Sequence, residues 1–340
     1  MSDNRKLCSA EQMMEILNRR ASTFNVVTHG RILGPMTEEI VRQALDLVQE
    51  RHPRLNSRIV GDDDNLRFET GAKKIPLRVV EQQHSEQWQE ILTEELNTKI
   101  ESYEVLLRAV LVKEQNENSA SHLIITIHHA ITDGLSSIQL YSEILTYCQK
   151  IAGGEPHSPA PSYEVLPPVD ELFPPSKKGF RGIINSLLFL LKFKLKLLWY
   201  RPETLSFEKT VPIEERRCGI VCRQLDAEFT KQLINRYREE ETTVQGALSA
   251  AMLFAAARKI RAGQKTRVNC YSSIDLRKRL KPLVSKDKLG VLVSTLGSFH
   301  TLGTNTSFWE LARDVRQQLE VGLKGSDIFS QVLMMRETLA

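Results

Sequence analysis

The sequence has no cysteine framework. Its five cysteines, Cys8, Cys148, Cys218, Cys222 and Cys270, are odd in number and scattered. That excludes the paired pattern of a small secreted disulfide protein and suits free thiols in a reducing compartment. Only Cys218 and Cys222 lie close together, and a zinc ribbon needs a second pair near them that the chain does not supply. The first residues, MSDNRKLCS, carry charge with no apolar stretch behind them, so no secretory signal is visible and the expected location is cytoplasmic. An excess of one charge is also missing. Lys and Arg number 46 against 42 Asp and Glu, a net +4 over 340 residues, too weak a field to point to nucleic acid as a partner. The most apolar segment, Ile183 to Trp199, has an uncharged core of about nine residues where a bilayer span needs about 20. No internal repeat occurs, and neither an HExxH helix nor a Gly-x-Ser-x-Gly elbow is present.

What remains is an ordinary folded chain, 41% hydrophobic and 26% charged, long enough for roughly two domains. Its first half alternates helix and strand patterns. Ser9 reads as the N-cap of a helix to Arg20, with Gln12 completing a capping box, and 24–33 reads as extended. Thr37 caps a second helix whose apolar positions Ile40, Val41, Ala44, Leu45 and Val48 form one stripe. Strands are expected at 54–60, 66–69 and 76–80, a helix at 85–99, and a hairpin from 105–113 and 122–128 around a polar turn. A helix from Gly134 stops at Gly153-Gly154. Seven prolines between 153 and 176 remove backbone donors and block helix, which marks a linker and a domain boundary. Beyond it come a strand at 219–225, helices at 227–239 and 243–260, strands at 267–274 and 290–299, and a helix at 307–323.

The residues with chemistry in them are His128-His129-Ala130-Ile131-Thr132-Asp133-Gly134, on a strand-to-helix turn where side chains can project into a cleft. A histidine near neutral pKa can take a proton from a hydroxyl or amine, and a carboxylate four residues on can fix the turn or the ring. Gly134 permits close backbone approach. Residue types alone leave other readings open: His128 and Asp133 satisfying each other in a polar turn, or a zinc site lacking a fourth ligand.

HHAITDG has the HHxxxDG form of the coenzyme A-dependent acyltransferase superfamily, which includes nonribosomal peptide synthetase condensation domains, polyketide-associated acyltransferases and alcohol acyltransferases. Three further stretches resemble that superfamily in the same chain order: LCSAE at 7–11, RHPRLNSR at 51–58 and SIDLRKRL at 273–280. One position departs, since Asn56 follows Leu55 where the family pattern carries arginine. The resemblance implies an α/β (α+β) fold of two chloramphenicol-acetyltransferase-like lobes with a tunnel between them. It divides the chain into an N-terminal lobe at 1–152, a crossover linker at 153–178 and a C-terminal lobe at 179–340. Members run on past the helix matching 307–323, in many cases through a DFGWG-like sequence that this chain lacks, so the second lobe is expected to be C-terminally incomplete.

By the same resemblance His129 is the catalytic base, His128 its packed neighbour, and Asp133 a structural residue paired with Arg277, or secondarily Arg58. Gly134, Ser294 or Thr295 would supply donors for a developing oxyanion. The implied activity is acyl transfer from a thioester, on coenzyme A or an acyl-carrier protein, to an alcohol or amine, with no cofactor and no metal. A second reading is a catalytically impaired condensation-like module that binds a carrier protein or other partner. The segment Ile183 to Trp199, with Lys192, Lys194 and Lys196, is either a helix packed on the body or an interfacial helix touching lipid.

Overall fold

Eight consecutive buried residues, Ser121–His128 (β6), sit at the centre of the first half in the computed structural model, which describes residues 4–113, 120–155, 161–205, 209–261 and 263–335. A strand buried on both faces needs neighbours on both edges and cover on both sides. The neighbours are Asn25–Ile32 (β1) and Leu107–Lys113 (β5), both antiparallel to it, and Leu77–Glu81 (β4) closes the order β1-β6-β5-β4 by pairing parallel to β5. Alternation along β6 divides its residues between two cores. Leu123, Ile125 and Ile127 join the main core with the helices Ser9–Arg20 (α1), Glu38–Arg51 (α2) and Gly134–Ala152 (α4). Ile124 faces the other way and packs with Val110, Val112 and Ile91, the last from Gln87–Leu96 (α3). A separate hairpin joins Ser57–Val60 (β2) to Arg67–Thr70 (β3).

The stripe on α2 is buried as its period requires, with Val41, Ala44, Leu45 and Val48 fully enclosed. Thr37 caps the helix by accepting from Ile40 N. Truncating Leu45 to alanine would cost about 2–5 kcal/mol.

The second half contains Gly179–Tyr200 (α5), Ala227–Glu239 (α6), Val244–Ile260 (α7), the antiparallel pair Thr266–Asp275 (β7) and Val293–Leu302 (β8), then Phe308–Lys324 (α8) and Asp327–Leu333 (α9). The core is continuous across both halves, from Leu7 to Met335. The Pro-rich stretch joins that core through Val169, Leu172 and Phe173, whose ring meets Phe329 of α9 edge-on.

Several local expectations shift. The cap of α1 is Cys8, not Ser9: Glu11 accepts from Cys8 N, and Gln12 reaches back to the Leu7 carbonyl. Residues 53–56 form a 3-10 turn opened by Pro53, so the strand begins at Ser57. Residues 219–225 form no strand, because no described segment pairs with them, and Val221 and Leu225 are exposed. The short helix α9 was not anticipated. The polar turn between β5 and β6 lies mostly outside the described residues.

Candidate active site

The strand β6 ends at His128, residues 129–131 make one 3-10 turn, and Asp133 then caps α4. Adjacent residues leaving a strand point to opposite sides, so the two histidines separate. His128 is completely buried. Its Nδ1 accepts from the Ala130 amide at 3.0 Å, so a neutral ring carries its proton on Nε2, 2.8 Å from Glu15 Oε2. Glu15, on α1, is equally buried and also accepts from Ser102 Oγ and Arg19 Nε, each at 2.7 Å. Burial alone would push the Glu15 carboxyl up, but the hydrogen bonds from His128, Ser102 and Arg19 outweigh it and hold the group below the usual carboxylate range.

His129 is half-buried, with Phe24 stacked on it at 6.0 Å between ring centroids. Its Nδ1 lies 2.9 Å from the Thr132 carbonyl. A carbonyl only accepts, so Nδ1 is the protonated nitrogen and Nε2 keeps its lone pair. Nε2 makes no hydrogen bond to a described residue. Burial lowers the ring's pKa from its ordinary value, so the imidazole is neutral at pH 7. The ring is fixed by the Thr132 carbonyl and not by a carboxylate.

Asp133 fixes the turn instead. Its Oδ1 accepts from Ser136 N at 2.8 Å and its Oδ2 from Leu292 N at 3.0 Å. Arg277 approaches both oxygens, Nη2 to Oδ1 and Nη1 to Oδ2, each at 3.0 Å, and both side chains are almost fully enclosed. Arg277 also donates to Asp275 Oδ1 at 2.9 Å and to Ser136 Oγ at 2.6 Å. The loop after β7 is thereby tied to the turn before α4. Arg58, the secondary candidate, pairs with Glu69 across the β2–β3 hairpin at 2.8 Å.

His128, His129, Asp133, Gly134 and Arg277 therefore gather around one turn. Ser294 and Thr295 are placed otherwise. Ser294 Oγ donates to the Ile328 carbonyl at 2.6 Å, which commits its only proton. Thr295 lines a cavity of about 490 Å³ between α5, β8 and α8. At Gly134, the first residue of α4, and at Leu135 the backbone N–H groups make no bond to a described residue, as expected for a helix start. Among the described residues no group of three or more His, Cys, Asp and Glu could hold a metal ion, and no helix is long and apolar enough to cross a membrane.

Sequence reasoning missed Glu15, the Thr132 carbonyl, Ser136 and the Leu292 amide. The last three act wholly or partly through backbone atoms, which carry no sequence signal. Glu15 falls on α1 with Glu11 and Asn18 at i, i+4 and i+7, a polar row that normally marks the solvent face, yet all three are buried.

Residues 8–165 match the family model of the condensation domain. Residues 215–340 match that of the phthiocerol/phthiodiolone dimycocerosyl transferase C-terminus. No curated protein sequence matches the chain. Among solved structures, polyketide synthase associated protein 5 from Mycobacterium tuberculosis is similar over 96% of this chain and 75% of its own, with 18% identity and a TM-score of 0.66. The first condensation domain of the calcium-dependent antibiotic synthetase, with a substrate analogue, is similar over 96% and 75%, with 16% identity and a TM-score of 0.73. The SgcC5 protein from Streptomyces globisporus is similar over 98% and 76%, with 17% identity and a TM-score of 0.67. At these identities the structures establish the mixed α/β two-lobe fold, and the two family models follow one another along the chain, the condensation-domain match containing the HHAITDG turn and the transferase C-terminus match following it, in agreement with the resemblance that the motifs suggest.

Proposed function

We propose that the chain transfers an acyl group from a thioester to an alcohol or amine, with His129 as general base. The carrying observation is the His129 ring itself: neutral, oriented through Nδ1 by the Thr132 carbonyl, with Nε2 left to accept. His129 Nε2 removes the acceptor's proton as its oxygen or nitrogen attacks the thioester carbonyl carbon. The C–S bond then breaks, and the proton passes from His129 to the departing thiolate. No covalent intermediate on the protein is needed. The developing oxyanion is served by the free N–H groups of Gly134 and Leu135 at the start of α4, where the helix dipole also favours negative charge. Asp133 and Arg277 hold the turn, and His128 with Glu15 packs behind it.

The family match supports a donor on coenzyme A or on a carrier protein. A four-domain nonribosomal peptide synthetase is among the similar structures, with 15% identity over 99% of this chain. The same reading takes 1–152 and 179–340 as the two lobes and 153–178 as the crossover.

The test is thiol release from acyl-coenzyme A and acyl-carrier-protein donors with small alcohols and amines. His129→Ala should lower turnover by about 10²-fold or more, the scale of a lost general base. Equal turnover in wild type and variant would remove the catalytic reading. Carrier-protein binding by wild type without turnover from either donor would establish the binding module in its place.

A further inference from the structure

The helix α5 has two unlike faces. Its inner face packs: Gly182 and Ser186 are buried, Phe189 stacks on Phe193, and Phe193 meets Tyr271 and Phe299. Lys196 belongs to this side, with Nζ 4.1 Å from the Phe299 ring centre. The outer face is a continuous row of exposed apolar residues, Phe180, Ile184, Leu187, Leu191, Leu195 and Leu198, spaced three or four apart along this 22-residue helix. At about 1.5 Å per residue the row is roughly 27 Å long. The two most exposed large apolar side chains of the helix lie near its ends, Phe180 at 78% and Trp199 at 81%.

Charge decides what covers this face. Residues 177–201 contain seven Lys and Arg and no Asp or Glu. Lys192 follows Leu191 by one position and Lys194 precedes Leu195 by one, so at about 100° per residue they border the apolar row on opposite sides. Both are exposed and make no ion pair with a described residue. A second copy of the same face would bring lysine borders together, which is repulsive. An apolar row with lysines on both flanks and aromatic ends matches a lipid interface, where acyl chains receive the row, headgroups receive the ammonium groups and aromatics sit at the boundary.

We propose that α5 is an interfacial helix that seats the protein on an anionic phospholipid surface. This goes beyond acyl transfer and is read without turnover. The full chain should float with vesicles of phosphatidylcholine mixed with phosphatidylserine, and added salt should weaken the binding. Each lysine near an anionic surface contributes about fivefold in partitioning, so Lys192→Gln with Lys194→Gln should bind about 30-fold more weakly. Leu187→Gln with Leu191→Gln should abolish flotation while leaving the circular dichroism and melting curve of the exposed-face variant unchanged. Trp199 emission should shift to the blue on vesicles, a shift lost in Trp199→Phe. Wild type that stays with the buffer, or flotation indifferent to both leucines, overturns the proposal. So does a wild-type dimer that Leu187→Gln with Leu191→Gln dissociates without any lipid binding, which would make the row a protein interface.

Discussion

Replacing Asp133 by asparagine tests how the turn is held, because it removes charge with almost no change of shape. Asparagine is also a good helix cap, so its oxygen can keep the bond to Ser136 N and α4 keeps its start. The amide nitrogen then occupies the place of Oδ2, where Leu292 N–H and Arg277 Nη1 both point at it. Three donors would meet with no acceptor. Arg277 keeps Asp275, whose side chain is partly exposed, as its remaining anion. Breaking a buried pair from one side costs about 3–5 kcal/mol, and the residual Asp275 contact puts the expected loss near the lower end. Arg277→Met leaves Asp133 charged but still bonded to two backbone amides, so a similar loss of about 3 kcal/mol is expected. With an unfolding entropy of about 2.1 cal/mol/K per residue, a 3–5 kcal/mol loss lowers the melting temperature by about 4–7 °C in a chain of this length.

The assay is a double-mutant cycle in urea with Asp133→Asn, Arg277→Met and the combination. If the bidentate contact carries the effect, the double variant should be less destabilised than the sum of the singles by about 2 kcal/mol. Full additivity, or either single variant melting like wild type, would refute the pairing as a structural tie.

Turnover should depend on His129 with a specific pH profile. The base acts when neutral, and burial lowers its pKa, so the rate should climb with a midpoint below pH 6.5 and be flat through neutrality; a midpoint above 6.5 contradicts the geometry. Glu15→Ala strands the His128 Nε2–H in the core and should cost about 1–3 kcal/mol, measured by urea denaturation, with little effect expected from the exposed Glu90→Ala. His29 Nε2 lies 2.8 Å from His122 Nδ1, both rings stack on Trp88, and burial followed by the facing His122 pushes the His29 pKa down to about 4. The unfolded chain takes up that proton first, so stability should fall as pH drops from about 6.5 to about 4, by roughly 1–2 kcal/mol after allowance for solvent screening, and His29→Gln should flatten the slope of urea midpoints.

How much was legible from sequence follows from where each interaction sits. The stripe of α2 announces itself by period, because one face of that helix must be buried whatever the rest of the chain does, and the antiparallel β5–β6 pair by two apolar runs that flank a short polar turn. The Asp133–Arg277 contact joins residues 144 positions apart, a separation that no periodicity reaches; the order of short motifs suggested it and the geometry displays it. Residues 219–225 mislead for the opposite reason. Val221 and Leu225 have strand-like chemistry, but a strand exists only where a second backbone supplies partners, and no described segment does so here. Of the oxyanion donors expected at Gly134, Ser294 and Thr295, Ser294 spends its proton on α9, an element too short to reveal itself by period.

The charged pair at the turn also differs from most buried ion pairs, which apolar residues of similar volume can often replace without loss. Asp133 oxygens terminate two backbone donors in addition to the guanidinium, the Ser136 amide in the first half and the Leu292 amide in the second. An apolar pair would fill the space and leave both amides buried and unmade, at about 1–3 kcal/mol each. Restoring them by shifting the loop would move Ser136, whose hydroxyl also touches the Lys288 and Gly290 carbonyls. Leucine at Asp133 with methionine at Arg277 should therefore be less stable than wild type by several kcal/mol, about 2–6 from the two amides alone. A double variant as stable as the native chain, read by urea denaturation, would show that the amides find other partners and that the turn is not held by this carboxylate.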